Sequence, residues 1–491
     1  MNRTPTVQRW LCALRGEAAL LVLVVSAVGA NARAGELVGP STAGDERWAI
    51  ASDADPQPRS NGAPLWNGES ASGGFLETNQ GGARSEAPEW RPLQQLLGLS
   101  VEEQRLFNLR GRVDTDAIWS TQSAANVDTY GELGDVVGLR RARIGAFGNF
   151  SDDVRYLTEI DLASGNVVLR DVYIAYGQPQ ENGEYRGGHF REPFSLEGAI
   201  SANSFGFMER SPINNLDPAR NWGLGYFACD SEERATWAIG AFRAGSDSSD
   251  LQGGEGSDCA VTMRGTALAY YEDDGARLMH LGFALSSRLP DNGRVVISQK
   301  PSSPLLDLGD SSTSPFVPTL RYDATFQQLF NAQWAMAHGP FWAQAEWYGT
   351  LIDQSLGQGN VLLHGCYLDI GYFLTGEHRA YERRSGFYGF VTVDRPLLRR
   401  FSSQSTPRPA GFGAWEVTAR LAYLDYFDSD NPTGPQGQLE GVVMPQGTLG
   451  LNWYLADRCR LMFNYYYSLP DEPNTGTSSA SFYAMRLGVF W

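Results

Sequence analysis

The sequence predicts an all-β fold: a transmembrane antiparallel β-barrel of sixteen strands behind a disordered N-terminal extension. Three observations predict it. From Phe107 onward, segments of about ten residues alternate apolar and polar positions with a period of two. The connections between these segments alternate between short and long, the asymmetry of a barrel with turns on one side of a membrane and loops on the other. Beyond the N-terminus no stretch is apolar enough for a membrane helix, so a membrane-resident chain must cross with strands.

The N-terminus carries Arg3, Arg9 and Arg15 ahead of an apolar run, Ala18 to Ala30, that leads to Ala32-Arg33-Ala34. A basic start, a short apolar stretch and a small-residue cleavage site make residues 1–34 a secretory signal peptide. Residues 35–106 are rich in Gly, Ser, Pro, Asn and acidic residues without periodicity, the composition of a low-complexity periplasmic extension or linker. Within it only Arg91 to Arg105 has the pattern for a short helix. Residues 107–491 form the barrel domain.

In the last segment Tyr483, Met485, Leu487, Val489 and Trp491 share one face, and Ala484, Arg486 and Gly488 the other. Leu449, Leu451, Trp453 and Leu455 likewise oppose Thr448, Gly450 and Asn452, and Trp415, Val417, Ala419 and Leu421 oppose Glu416, Thr418 and Arg420. Strands are expected to begin near Phe107, Leu139, Val154, Val167, Glu184, Asn221, Ala235 and Cys259. The second eight begin near Arg277, Thr325, Phe341, His364, Gly413, Gly447, Cys459 and Ser481. An even count returns the chain to the side it entered from, and sixteen strands enclose an aqueous channel. Ser151–Asp153, Glu272–Ala276, His338–Pro340 and Ala456–Arg458 are the tight turns; aromatic pairs such as Trp453-Tyr454 and Tyr465-Tyr466 near strand ends mark interfacial girdles. The run Glu192–Arg220 and the run Gly376–Phe412 are too long for ordinary connections, and either is a candidate to fold into the lumen.

The formal charge is −17, and loss of the leader's four arginines and one glutamate takes it to −20, which disfavours nucleic acid as a partner. Cys12 leaves with the leader; Cys229, Cys259, Cys366 and Cys459 are scattered, without the spacing of a metal site, and no cofactor motif is present. His189, His280, His338, His364 and His378 stand beside no nucleophile signature, so no enzyme activity is expected.

Arginine supplies nearly all the positive charge, since Lys300 is the sole lysine. A guanidinium facing lipid near the midplane costs about 2–4 kcal/mol, so strand arginines should face the lumen or an interface. Alternation turns Arg141, Arg143 and Arg155 inward; Arg191, Arg210 and Arg220 lie in or beside the first long run, and Arg379, Arg383 and Arg384 in the second. These nine are the candidate pore-lining, anion-binding residues, because the guanidinium fork replaces an oxyanion's hydration at any pH. Their alternative role is to pair with lumen acids such as Glu159, Asp161, Asp171 and Glu416 and so stiffen the wall.

The run RRARIGAFGNFSDDVRYLTEIDLASGNVVLRDVYIAYG (Arg140–Gly177) resembles the second to fourth strands of the phosphate-selective porin O and P family. GGHFREPFSLE (Gly187–Glu197), SFGFMERSP (Ser204–Pro212) and DPARNWGLG (Asp217–Gly225) resemble its next strand and constriction loop. GYFLTGEHRAY (Gly371–Tyr381), GAWEVTARLAYLD (Gly413–Asp425) and LGLNWYLADRCRLMFNYYY (Leu449–Tyr467) resemble its C-terminal part. The resemblance implies a homotrimer of sixteen-stranded barrels in the bacterial outer membrane, embedded in its lipid, passing small hydrophilic solutes and, through lumen arginines, anions such as phosphate. Against a dedicated anion channel stands the barrel's own charge, a net −14 over residues 107–491. A general or sugar-permissive pore, and a structural barrel without transport selectivity, are the alternatives.

Overall fold

A computed structural model describes residues 106–165, 167–177, 183–243, 259–290, 293–299, 316–354, 359–398, 409–428 and 441–491. The expected leader and the 35–105 extension, with the short helix read at Arg91–Arg105, lie outside the described residues.

Sixteen strands form the wall. They are β1 Asn108–Gln122, β2 Val136–Asn149, β3 Val154–Asp161, β4 Val168–Tyr176, β5 Glu184–Arg191, β6 Arg220–Cys229, β7 Ala235–Arg243 and β8 Cys259–Glu272. Then follow β9 Arg277–Leu289, β10 Val317–His338, β11 Phe341–Gln354, β12 Asn360–Phe373, β13 Ala414–Asp425, β14 Val443–Ala456, β15 Cys459–Ser468 and β16 Ala480–Phe490. Each is antiparallel to the next, and β16 returns to β1 with Arg486 opposite Asp116, so the sheet closes as a barrel. Closure leaves no unpaired strand edge in the wall, as a span through hydrocarbon requires. The two-residue alternation places all sixteen strands, because lumen and lipid impose opposite chemistry on successive side chains.

Burial is inside out relative to a soluble protein. Asp116, Glu416, Asn331, Thr350 and Arg486 are at most 1% exposed, whereas Val137, Leu224, Leu421 and Leu449 are 61–73% exposed. Outward aromatic pairs collar both ends of the wall. Trp415 stacks on Trp453 with ring centroids 4.9 Å apart, Tyr185 meets Tyr226 at 5.0 Å, and near the opposite rim Tyr465 meets Tyr483 at 5.0 Å. Tyr454 and Tyr466, read with their neighbours as girdle residues, point into the lumen instead, where their hydroxyls donate to Glu416 and Asn464. Alternation sends every second aromatic of such a run inward. Cys229, Cys366 and Cys459 are free thiols.

The seam between β1 and the chain end is tight. Trp491 and Gly111 exchange two main-chain hydrogen bonds of 3.0 Å. A Cβ on Gly111 would overlap the Trp491 indole ring. Gly111→Val is therefore expected to displace Trp491 and cost about 1–3 kcal/mol through overpacking, read as a lower denaturant midpoint of the refolded barrel; an unchanged midpoint would show that the indole has another berth.

Two segments occupy the lumen. The loop from Glu192 to Ala219 joins β5 to β6 and contains one turn of helix, Leu196–Ala199, and a 3₁₀ turn, Pro212–Leu216. From the opposite, short-turn end, the β12–β13 connection sends in a hairpin, Arg379–Glu382 paired with Phe387–Val391. Its sequence RAYERRSGFYGFV (Arg379–Val391) places alternating aromatics on either side of Ser-Gly, the pattern of a small hairpin. Gly386 at its tip has φ +71°, and a Cβ there would sit 2.6 Å from Thr266 Oγ1 on β8. Only glycine combines that backbone with so close an approach.

Candidate functional site

The β5–β6 loop crosses the lumen because its apolar side chains have a wall to pack on. Phe194, Leu196, Ile200, Phe207 and Met208 are at most 1% exposed. Ser195 caps the helical turn, its hydroxyl accepting from Gly198 N at 2.8 Å. The aromatic residues of the loop are thus anchors.

Arginines of the wall and the hairpin tie the loop down by its carbonyls. Ala202 O accepts from Arg112 (3.2 Å) and Arg460 (2.7 Å), and Phe205 O from Arg460 (2.8 Å). Ser204 O accepts from Arg379, Met208 O from Arg486 and Glu209 O from Arg420. Arg379 lies 4.3 Å above the Trp342 ring and 4.6 Å from that of Tyr388, joining loop and hairpin. A guanidinium suits this work, since it serves several acceptors at once and keeps its charge.

Charge pairs line the β16–β1–β2–β3 side. Arg486 grips Asp116 through two bonds of 2.7 and 2.6 Å and reaches Glu209 of the loop at 2.7 Å. Arg112 and Arg141 share Asp114 at 2.6 and 3.0 Å. Arg143 bonds Asp161 (3.0 Å) and Glu159 (3.3 Å), and Arg110 also bonds Glu159, at 2.8 Å. The β1–β2 ladder slips one residue at Asp114/Thr115, leaving Arg140 between the residues paired to them. Such a bulge turns consecutive side chains to one side. Arg140 consequently joins Arg141 at Glu209, with bonds of 2.8 and 3.0 Å. Burial alone would raise the Glu209 carboxyl, but Arg140, Arg141 and Arg486 hold it below the usual carboxylate range.

The nine candidate arginines are spread over the wall, the loop and the hairpin. Arg141 and Arg143 face the lumen from β2 as above. Arg155 pairs with Glu184 near the short-turn end, Arg191 with Asp217 at 2.9 Å and Arg220 with Asp171 at 2.9 Å. Arg210 donates to Glu197 O, Gly198 O and Ile200 O of its own loop at 3.2–3.3 Å. Arg379 is inside the lumen, while Arg383 and Arg384 meet Glu233 in the β6–β7 turn. Glu416 holds Trp342, Asn452 and Tyr454. The nine do not include Arg110 or Arg112. The alternation Arg110, Arg112, Asp114, Asp116 on β1 was the signal for them.

Residues 107–489 match the phosphate-selective porin O and P family. The chain belongs to that family. It is an outer-membrane porin, a channel-forming barrel. An uncharacterized protein of Caulobacter vibrioides is 25% identical over 375 residues, 74% of this chain and 68% of its own length. Among solved structures, Pseudomonas putida OprB aligns with TM-score 0.49 at 8% identity, covering 80% of this porin and 97% of that chain. The loop L8 deletion mutant of Vibrio cholerae OmpT aligns with TM-score 0.45 at 11% identity, covering 78% and 99%.

Proposed function

We propose that this porin passes small hydrophilic solutes with a preference for anions, phosphate among them, along the β1–β3 side of the constriction loop. One recess carries the reading. Arg110, Arg112, Arg143, Glu159, Ser201 and Asn203 line a small polar recess beside the loop. Arg110, Arg112 and Arg143 meet Glu159 there, with Asp114 and Asp161 behind Arg112 and Arg143, and among the described residues Arg112 Nε is a buried donor without a hydrogen-bond partner. An oxyanion supplies the acceptor that such a donor lacks. Of the nine arginines picked from sequence, Arg143 belongs to this recess, and Arg141 adjoins it through Asp114, which it shares with Arg112. The other seven serve as loop and wall ties. Family membership supports a homotrimer, and the sequence supports export by a cleaved leader.

The competing reading, a general pore, is favoured by the carboxylates paired with many lumen arginines, Arg110, Arg141, Arg143, Arg220, Arg420 and Arg486 among them. Reversal potentials across a salt gradient in planar bilayers separate the two. Anion preference with phosphate blocking chloride current is the expected result; a cation-selective reversal potential would overturn it. Arg112→Lys keeps the charge but loses the fork, and is expected to weaken the phosphate block about tenfold, the worth of one charge-assisted hydrogen bond. An unchanged block would move the site elsewhere.

A further inference from the structure

One anchor of the constriction loop is a carboxylate that, among the described residues, pairs with no guanidinium of its own. Glu346 on β11 is 3% exposed and faces the lumen. Its oxygens accept from Leu196 N (2.7 Å) and Glu197 N (2.8 Å), the first amides of the helical turn. They also accept from Asn331 Nδ2 (3.1 Å), Tyr367 O–H (2.6 Å) and Tyr348 O–H (3.3 Å). Five neutral donors on two oxygens is a set that only the ionised form satisfies, because a protonated carboxyl must itself donate. With one proton added, an oxygen that accepted turns donor and at least one of the five N–H or O–H groups loses its partner.

The surrounding charges are unbalanced. From the loop comes Glu197, whose carboxylate meets Arg420 of β13 at 2.7 Å; Asp369 of β12 takes the same guanidinium at 2.6 Å. Arg264 of β8 and Asp217 of the loop act on the cluster from farther off, and Asn331 and Gln333 of β10 are neutral. Thus Glu197 and Asp369 share Arg420 while Glu346 stands beside Glu197, and carboxylates crowded together out of water favour proton uptake.

We propose that Glu346 is a positioning residue of the constriction: its ionised carboxylate holds the Leu196–Ala199 turn against the β11 wall, and protonation releases that turn, making the pore pH-gated. The inference rests on the channel reading and not on which ion passes.

Single-channel recording of the full porin, at about pH 8 and at about pH 5, tests it. At the higher pH one steady level is expected. At the lower, steps to a second level should become about tenfold more frequent, the effect of losing one hydrogen bond to a charged group. Glu346→Gln cannot ionise, and its amide N–H groups would face the loop amides; it should step at both pH values alike. Tyr367→Phe keeps the carboxylate but removes a donor that favours its ionised form, so its stepping should begin at higher pH. A steady current at low pH, or a Glu346→Gln channel that keeps the natural pH response, would overturn the proposal. If Glu346→Gln fails to assemble, Tyr367→Phe decides, and an unmoved onset refutes it. Absence of any conductance at the higher pH would instead sink the channel reading, and this one with it.

Discussion

Replacing Arg420 by Met is expected to unfasten the constriction loop and produce the largest rise in single-channel conductance of any single substitution. Arg420 donates to Asp369 at 2.6 and 2.8 Å, to Glu197 at 2.7 Å and to Glu209 O at 3.0 Å. Its plane lies 4.4 Å from the Phe207 ring, so it also seats the loop's main aromatic anchor. Methionine fills the stem's volume but leaves Glu197 and Asp369 buried without the guanidinium they share, with Arg210 and Arg379 acting only from farther off. Breaking a buried pair from one side costs about 3–5 kcal/mol, read as a lower denaturant midpoint. Acidity should relieve part of it. Burial already lifts the Glu197 carboxyl above its ordinary range, with Asp369 adding to the rise and Arg420 opposing it. A raised carboxyl favours the fold fully below about pH 4.3, its unfolded value, and that contribution fades as pH rises through the folded value. The gap between the variant and the natural protein should therefore narrow on acidification. A gap independent of pH, or an unaltered conductance, would remove Arg420 from the role of loop anchor.

The wall was legible from sequence because one rule governs all of it: successive residues see water and lipid in turn. The same rule turned Arg141, Arg143, Arg155, Arg420 and Arg486 inward. It says nothing about partners across the lumen. That Arg420 would meet Glu197, more than two hundred residues away, depends on how the loop folds across a closed barrel. Arg140 escaped for a different reason: a single-residue slip in the β1–β2 ladder reverses its side, and no residue type in that stretch announces the bulge. The arginine-rich run after β12 was read for its charge. Its aromatic alternation, Tyr381 with Phe387, Tyr388 and Phe390, was the better guide, since those side chains carry the hairpin into the lumen. Glu346 likewise looked like one more polar position on a strand, and only the loop amides above it give it a distinct role.

Arg486 tests whether barrel closure and loop placement depend on one side chain. It joins β16 to β1 through Asp116 and ties both to the loop through Glu209 and Met208 O. Arg486→Met should lower the denaturant midpoint by the equivalent of about 3–5 kcal/mol, because Asp116 is then buried without a partner. Adding Asp116→Leu should recover most of that loss, since two apolar groups leave no charge stranded in the seam. Glu209 keeps Arg140 in either variant, so its depressed carboxyl continues to favour the fold above the ordinary glutamate range, and that contribution is lost only as pH falls through the folded value. The double variant should therefore match the natural barrel in stability at neutral pH while still showing a loosened loop, seen as faster proteolysis within residues 192–219. A double variant as unstable as the sum of the two single ones would mean that the seam is held elsewhere, and that Asp116 and Arg486 act independently.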